Sequence, residues 1–114
     1  MDANQIDQLV EQNHKVLISM LQDLINIPTE NAPPNGFEKK GQEYIATVFK
    51  ELGLKVDVFA PDEIQGFDQN PAFLQGQNYE NGRKNVVGCW EGVDEGKSLL
   101  LSGHMDVAPK EPLP

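Results

Sequence analysis

Cysteine and basic residues are both scarce in this chain, and each shortage excludes a class of protein. Cys89 is the only cysteine among 114 residues, so neither an internal disulfide framework nor a cysteine-rich zinc site can form. Its place in an apolar segment predicts a buried, unreactive thiol. Nine basic residues stand against 18 acidic ones, for a net charge of −9. We therefore expect no nucleic-acid partner and no anionic membrane partner.

Targeting and nucleotide-binding signals are also lacking. The first residues contain no basic region followed by an apolar stretch, so we predict no signal peptide. No segment approaches the roughly 20 apolar residues of a membrane span. The absence of a glycine-rich loop between a strand and a helix excludes a flavodoxin-like nucleotide-binding domain. The expected compartment is the cytoplasm.

Hydrophobic periodicity predicts two helices followed by three strands. Pro28 and Gly53 are the expected helix ends, because proline cannot continue a helix and glycine readily takes the left-handed conformation. The predicted helices cover 5–26 and 37–52, and the predicted strands cover 54–59, 85–90 and 98–102. This order predicts an α/β fold in which two amino-terminal helices pack on a partial sheet of about three strands.

The third predicted strand is apolar on both faces, because it contains Leu99, Leu100 and Leu101 in succession. Such a strand belongs in the middle of a sheet that is covered on both sides. Two helices cover one face at most, so the other face requires further chain or another molecule. Residues 61–84, which are unusually long for a connection, are expected to form either a surface loop or a loop that borders a site.

A histidine and an aspartate follow this third strand directly. In an extended segment, residues two apart project to the same side, so His104 and Asp106 are placed as a metal ligand and the acid that orients it. They lie at the carboxyl end of a strand, where open α/β sheets keep their sites. His14 lies in the polar part of the first predicted helix without an acid or cysteine on a shared face, which indicates a solvated surface residue.

The His-x-acid pattern is weak by itself. Two histidines and 18 acids in this length give such a pattern by chance with a probability of about 0.3, so context must support it. The preceding apolar strand and the small residues Ser102 and Gly103 supply that context, since a glycine allows close approach of another group. The alternative is a His-Asp pair that merely caps a strand.

Four segments together resemble the M20 metallopeptidases, a family that includes acetylornithine deacetylase, succinyl-diaminopimelate desuccinylase, aminoacylase and glutamate carboxypeptidases. Residues 99–109 (LLLSGHMDVAP) resemble its first metal-binding signature. Residues 24–31 (LINIPTEN) look like its first helix and the following loop, and residues 33–38 (PPNGFE) look like the start of its second helix. Residues 83–87 (RKNVV) resemble a strand start in the deacetylase and desuccinylase branch. The resemblance spans nearly all of the sequence.

The resemblance implies a role for each residue of the pair. His104 would bind one metal of a two-metal zinc or cobalt site, and Asp106 would orient its imidazole. The complete enzyme would hydrolyse the amide bond of a small N-acyl-amino acid or peptide with a metal-activated water. The family's bridging Asp, Glu-Glu pair, further acidic ligand and late His have no counterpart in this sequence. Residues 1–114 are thus expected to be the amino-terminal part of a zinc-peptidase-like catalytic domain.

Two functional interpretations follow from the sequence. In the first, the chain is a fragment of an M20-type metal-dependent amidohydrolase that binds metal weakly and is inactive alone, because one imidazole is far from the three or four protein ligands of a stable zinc site. In the second, it is a non-catalytic truncated module that self-associates through its uncovered sheet, since open apolar faces and unpaired edges invite association.

Overall fold

The described part of the chain folds into two helices, two short antiparallel sheets and a long loop. The computed structural model describes residues 2–93 and 95–109. In chain order the elements are α1 (Ala3–Asn26), β1 (Asn31–Ala32), β2 (Asn35–Gly36), α2 (Lys39–Glu51), β3 (Lys55–Phe59) and β4 (Asn85–Cys89), with 3-10 turns at Pro61–Glu63 and Phe67–Gln69. The predicted mixed α/β class is confirmed.

Helix α1 begins and ends at clear local signals. The Asp2 carboxylate accepts the backbone N–H of Gln5 at 2.9 Å, and the Gln5 side chain accepts the Asp2 N–H at 2.8 Å, which is a capping box. Ile27 is extended because Pro28 disfavours helical conformation in the residue before it. Within the described residues, no helix combines the length and the apolar character that crossing a membrane requires.

The predicted packing of both helices on the sheet is wrong for α1. No residue of α1 is buried. Its hydrogen bond to α2 is made by the Tyr44 hydroxyl, which donates to the Asp23 carboxylate at 3.3 Å. The sheet is too small to cover 24 residues of helix, so the apolar stripe of α1 remains open to solvent.

Helix α2 packs on the sheet that β3 and β4 form. The two strands are antiparallel, with Val56 opposite Gly88. A Cβ atom at Gly88 would lie 2.6 Å from side-chain carbons of both Phe49 and Leu54. Glycine at this position therefore lets Phe49 of α2, and Leu54 beyond its end, lie directly on the β4 backbone.

The predicted third strand does not form. Residues 98–102 make no strand, and β4 pairs only with β3 in the described part of the chain. The side chains of Leu99, Leu100 and Leu101 are between 82% and 85% exposed. A strand that is apolar on both faces needs cover on both, and residues 2–93 and 95–109 supply none.

Cys89 is exposed, so the prediction of a buried thiol is wrong. Side chains along β4 alternate between half-buried and exposed positions, with Val86 and Gly88 on the inner side and Cys89 on the outer side. Since α2 covers only one face of the two-stranded sheet, the outer side meets solvent.

The long loop between β3 and β4 is held at its end by Arg83. The guanidinium donates from Nε and Nη2 to Glu38 Oε1 at 3.2 and 3.0 Å. Its Nη1 donates to the Gln77 side chain at 2.7 Å and to the Pro34 carbonyl at 3.2 Å. The side chains of Arg83 and Glu38 are only 14% and 7% exposed. This ion pair ties the loop to the start of α2.

Candidate functional site

Two segments that are far apart in the sequence lie side by side at the candidate site. Glu30 and Val107 form an isolated parallel bridge. The Asn31 N–H donates to the Val107 carbonyl at 2.9 Å, and the Val107 N–H donates to the Thr29 carbonyl at 3.0 Å. We call these two segments, residues 29–31 and 105–107, the parallel clip. The clip holds the His-x-Asp segment against the loop after α1.

The buried side chain of Thr29 joins the two segments of the parallel clip. Its hydroxyl donates to the Met105 carbonyl at 2.7 Å, and the residue is buried. A Cβ atom at Gly41, in the first turn of α2, would lie 2.9 Å from Thr29 Cγ2 and 3.1 Å from Met105 Sδ. The missing side chain at Gly41 therefore allows both residues of the clip to approach the helix.

His104 and Asp106 are in direct contact, as the sequence predicts for a ligand and its orienting acid. His104 Nδ1 lies 3.1 Å from Asp106 Oδ1 and 3.1 Å from the Asp106 carbonyl oxygen. Both neighbours are acceptors, so the hydrogen-bond network assigns the proton to Nδ1. In the neutral ring, Nε2 then carries the free lone pair, and the His104 side chain is 84% exposed.

A second donor holds the other oxygen of the Asp106 carboxylate. Asn31 Nδ2 donates to Asp106 Oδ2 at 3.0 Å. Partial burial by itself would raise the pKa of Asp106, but the hydrogen bonds from Asn31 and His104 outweigh it and place the pKa below its ordinary value. The carboxylate is therefore ionised at neutral pH, and each of its oxygens has its own donor.

This arrangement meets the requirements for a single metal-ligating histidine. A histidine ligand needs one nitrogen free and the other held by a carboxylate or carbonyl, and His104 meets both conditions. A stable zinc site needs three or four protein ligands. In residues 2–93 and 95–109, no group of three or more His, Cys, Asp or Glu side chains could hold a metal ion. The pair fits one ligand and its support, and no more.

Sequence reasoning missed Thr29 and Asn31 as parts of the site. Both lie in the segment after Pro28, which contains the β1–β2 hairpin and the first of the two parts of the parallel clip. The available signal was the alternation of Thr29 and Asn31, whose side chains both reach the 105–107 segment. The alternation indicates a pairing only when the partner segment, more than 70 residues away, is known.

A cleft of about 440 Å³ lies in the long loop, away from the histidine-aspartate pair. Its walls include Phe67, whose ring makes edge-to-face contacts with Phe73 and Tyr79 at centroid distances of 5.2 and 5.9 Å. Neither His104 nor Asp106 lines it. This part of the loop packs on its own aromatic side chains.

Comparisons of the chain with protein-family models, curated proteins and solved structures give no match. The functional interpretation therefore depends on the residues of the site and on their geometry.

Proposed function

We propose that the chain contributes one metal ligand and its orienting acid to an M20-type metal-dependent amidohydrolase, which cleaves N-acyl-amino acids or peptides. The observation that carries this proposal is the contact of His104 Nδ1 with Asp106 Oδ1, which leaves Nε2 open to solvent. The alternative of a pair that merely caps a strand lacks support, because residues 98–102 form no strand.

Each residue has a defined task in this proposal. The His104 imidazole binds a zinc or cobalt ion through Nε2, while the Asp106 carboxylate holds the Nδ1 proton and so fixes the tautomer and the ring orientation. Bound divalent metals of this kind lower the pKa of a coordinated water and polarise an amide carbonyl. Because the described residues supply a single ligand, we expect weak metal affinity and no hydrolysis by the 114-residue chain.

The two histidines allow a sharp test of the metal-ligand role. Zinc is titrated into the chain with ¹⁵N-labelled histidine while the ring nitrogens are followed by NMR. We expect the Nε2 signal of His104 to shift on coordination, and the zinc affinity of the chain to fall in His104→Asn. His14→Asn is the matched control, because His14 lies in exposed α1 and its loss should leave the His104 shift unchanged.

Two results would overturn the proposal. One is zinc binding at His14 that is as strong as binding at His104. The other is coordination of zinc through Nδ1 of His104, which would show that Asp106 does not hold that nitrogen.

A second candidate function is self-association as a non-catalytic module. It is supported by the open apolar surface of α1 and of residues 99–101, and by sheets of only two strands with unpaired edges. The two functions are compatible, since a chain that supplies part of a catalytic domain also exposes the surface that the rest would cover.

A further inference from the structure

Asn31 makes the one side-chain contact that fixes the second oxygen of Asp106. Its Nδ2 donates to Asp106 Oδ2 at 3.0 Å, while Asp106 Oδ1 lies 3.1 Å from His104 Nδ1. The carboxylate is therefore held between an amide donor and an imidazole donor. The terminal torsion of aspartate, about the Cβ–Cγ bond, has no sharp preferred angle. A carboxylate with a single donor would therefore be less restricted in its rotation about that bond.

The orientation of the Asn31 amide is set by this contact. With the amide reversed, Asn31 Oδ1 would face Asp106 Oδ2, and two acceptors would oppose each other at hydrogen-bond distance. In the observed orientation, Oδ1 is buried and has no hydrogen-bond partner among the described residues. An unsatisfied buried acceptor costs free energy and calls for an explanation. The explanation here is that the amide nitrogen is needed at Asp106.

The backbone of Asn31 is held independently of its side chain. Its N–H donates to the Val107 carbonyl, and the Val107 N–H donates to the Thr29 carbonyl. A substitution of the side chain leaves these two hydrogen bonds of the parallel clip in place. The positioning effect of the amide can therefore be separated from the folding of the clip.

From these contacts we infer that Asn31 is a positioning residue for the metal ligand. It fixes the Asp106 carboxylate, which in turn holds the Nδ1–H tautomer of His104 and keeps Nε2 available. The metal-binding consequence rests on the proposed function, whereas the tautomer consequence does not.

The first test measures the His104 tautomer in the metal-free chain at neutral pH. The ¹⁵N shifts of the imidazole report which nitrogen carries the proton. We expect the Nδ1–H form to dominate in the parent chain and to decrease in Asn31→Ala. Asn31→Asp keeps the shape of the side chain but removes the donor and adds a like charge beside Asp106, so it should decrease that form at least as much.

Two controls distinguish positioning from a change in fold. Asn81→Ala removes another asparagine side-chain hydrogen bond, in which Asn81 Nδ2 donates to Asn35 Oδ1 at 3.3 Å. This substitution should leave the His104 tautomer unchanged. Hydrogen exchange of the Val107 amide should be the same in Asn31→Ala as in the parent chain, because its backbone hydrogen bond is retained. An unchanged tautomer in both Asn31 variants would overturn the inference, as would equal loss in Asn81→Ala.

The second test is zinc titration of the same variants, followed at the His104 ring. Loss of support to a metal-ligating histidine weakens metal affinity by about 10- to 100-fold, and for Asn31→Ala we expect about tenfold. A tautomer that responds to Asn31 in a chain where zinc never reaches His104 would contradict the proposed function and leave the positioning of the imidazole intact. An unchanged tautomer with zinc bound at His104 would contradict the role of Asn31 alone.

Discussion

Two charged side chains, each with several hydrogen-bond partners, join separate segments of this chain. Asp106 accepts from two residues that lie on different segments, and Arg83 donates to three. In each case the group is charged, and charge-assisted hydrogen bonds are the stronger ones. Removal of such a residue therefore leaves several partners unsatisfied at once.

Arg83→Ala is expected to lower the free energy of unfolding by about 3 kcal/mol. The Glu38 carboxylate, only 7% exposed, would lose its counter-charge, and removing one partner of a buried ion pair costs roughly 3–5 kcal/mol. Urea unfolding followed by circular dichroism measures the change. Lys84→Ala is the matched control, because Lys84 engages Gln42 through its backbone N–H alone. Equal destabilisation by the two variants would show that the ion pair does not hold the loop.

At the scale of the elements, local patterns predict what local interactions stabilise. The ends of α1 and α2 follow from Pro28 and Gly53, and the latter has the positive φ of +79° that glycine favours. The strands β3 and β4 follow from alternation and from turn residues. Each of these signals lies within a few residues of the feature that it predicts.

The missed features depend on partners that are distant in the sequence. The parallel clip joins residues about 75 apart, and neither segment alone carries a strand pattern. The run from Leu99 to Leu101 has the composition of a strand, but without a neighbour it makes none. The His-x-Asp contact could be predicted because both residues lie in one short segment, whereas the support from Asn31 could not.

Gly88→Ala is expected to destabilise the sheet by about 1–3 kcal/mol, because overpacking forces side chains from their preferred rotamers. The added Cβ would lie 2.6 Å from Phe49 and Leu54. Gly92→Ala is the control, since no atom lies within 4 Å of its Cβ position, and the change there should stay within about 0.5 kcal/mol. Thermal unfolding of both variants gives the comparison. A Gly88→Ala chain as stable as the control would mean that α2 is not in close contact with β4.

The whole molecule is much more open than a self-sufficient domain. Its accessible surface is 9888 Å², whereas a folded monomer of 12.7 kDa exposes about 6,200 Å². Its radius of gyration is 17.4 Å, against about 13 Å for a compact chain of this length. Among the described hydrophobic residues, only Ala46 and Ala60 are buried. Such a chain has apolar surface to bury against a further protein surface.

Self-association is therefore expected at the scale of the whole molecule. Sedimentation velocity should show a dimer or larger species that grows with concentration. Replacing Leu99, Leu100 and Leu101 together by serine should weaken association by about 100-fold or more, since each buried leucine contributes roughly 1.5–3 kcal/mol. Val93→Ser is the control, because Val93 is exposed but lies outside this run. A parent chain that stays monomeric at all concentrations would contradict the second candidate function.

The parallel clip also sets the order in which the candidate site assembles. Closing a loop of about 75 residues costs an entropy equivalent to roughly 4 kcal/mol, which a few hydrogen bonds of about 1 kcal/mol each barely offset. Once α2 and the β3–β4 sheet have packed, the gap from Cys89 to Met105 is far shorter and the closure costs less. We therefore expect the sheet to fold first and the Asp106 carboxylate to reach its Asn31 donor last. The same order, reversed, makes the parallel clip the first part of the described chain to open.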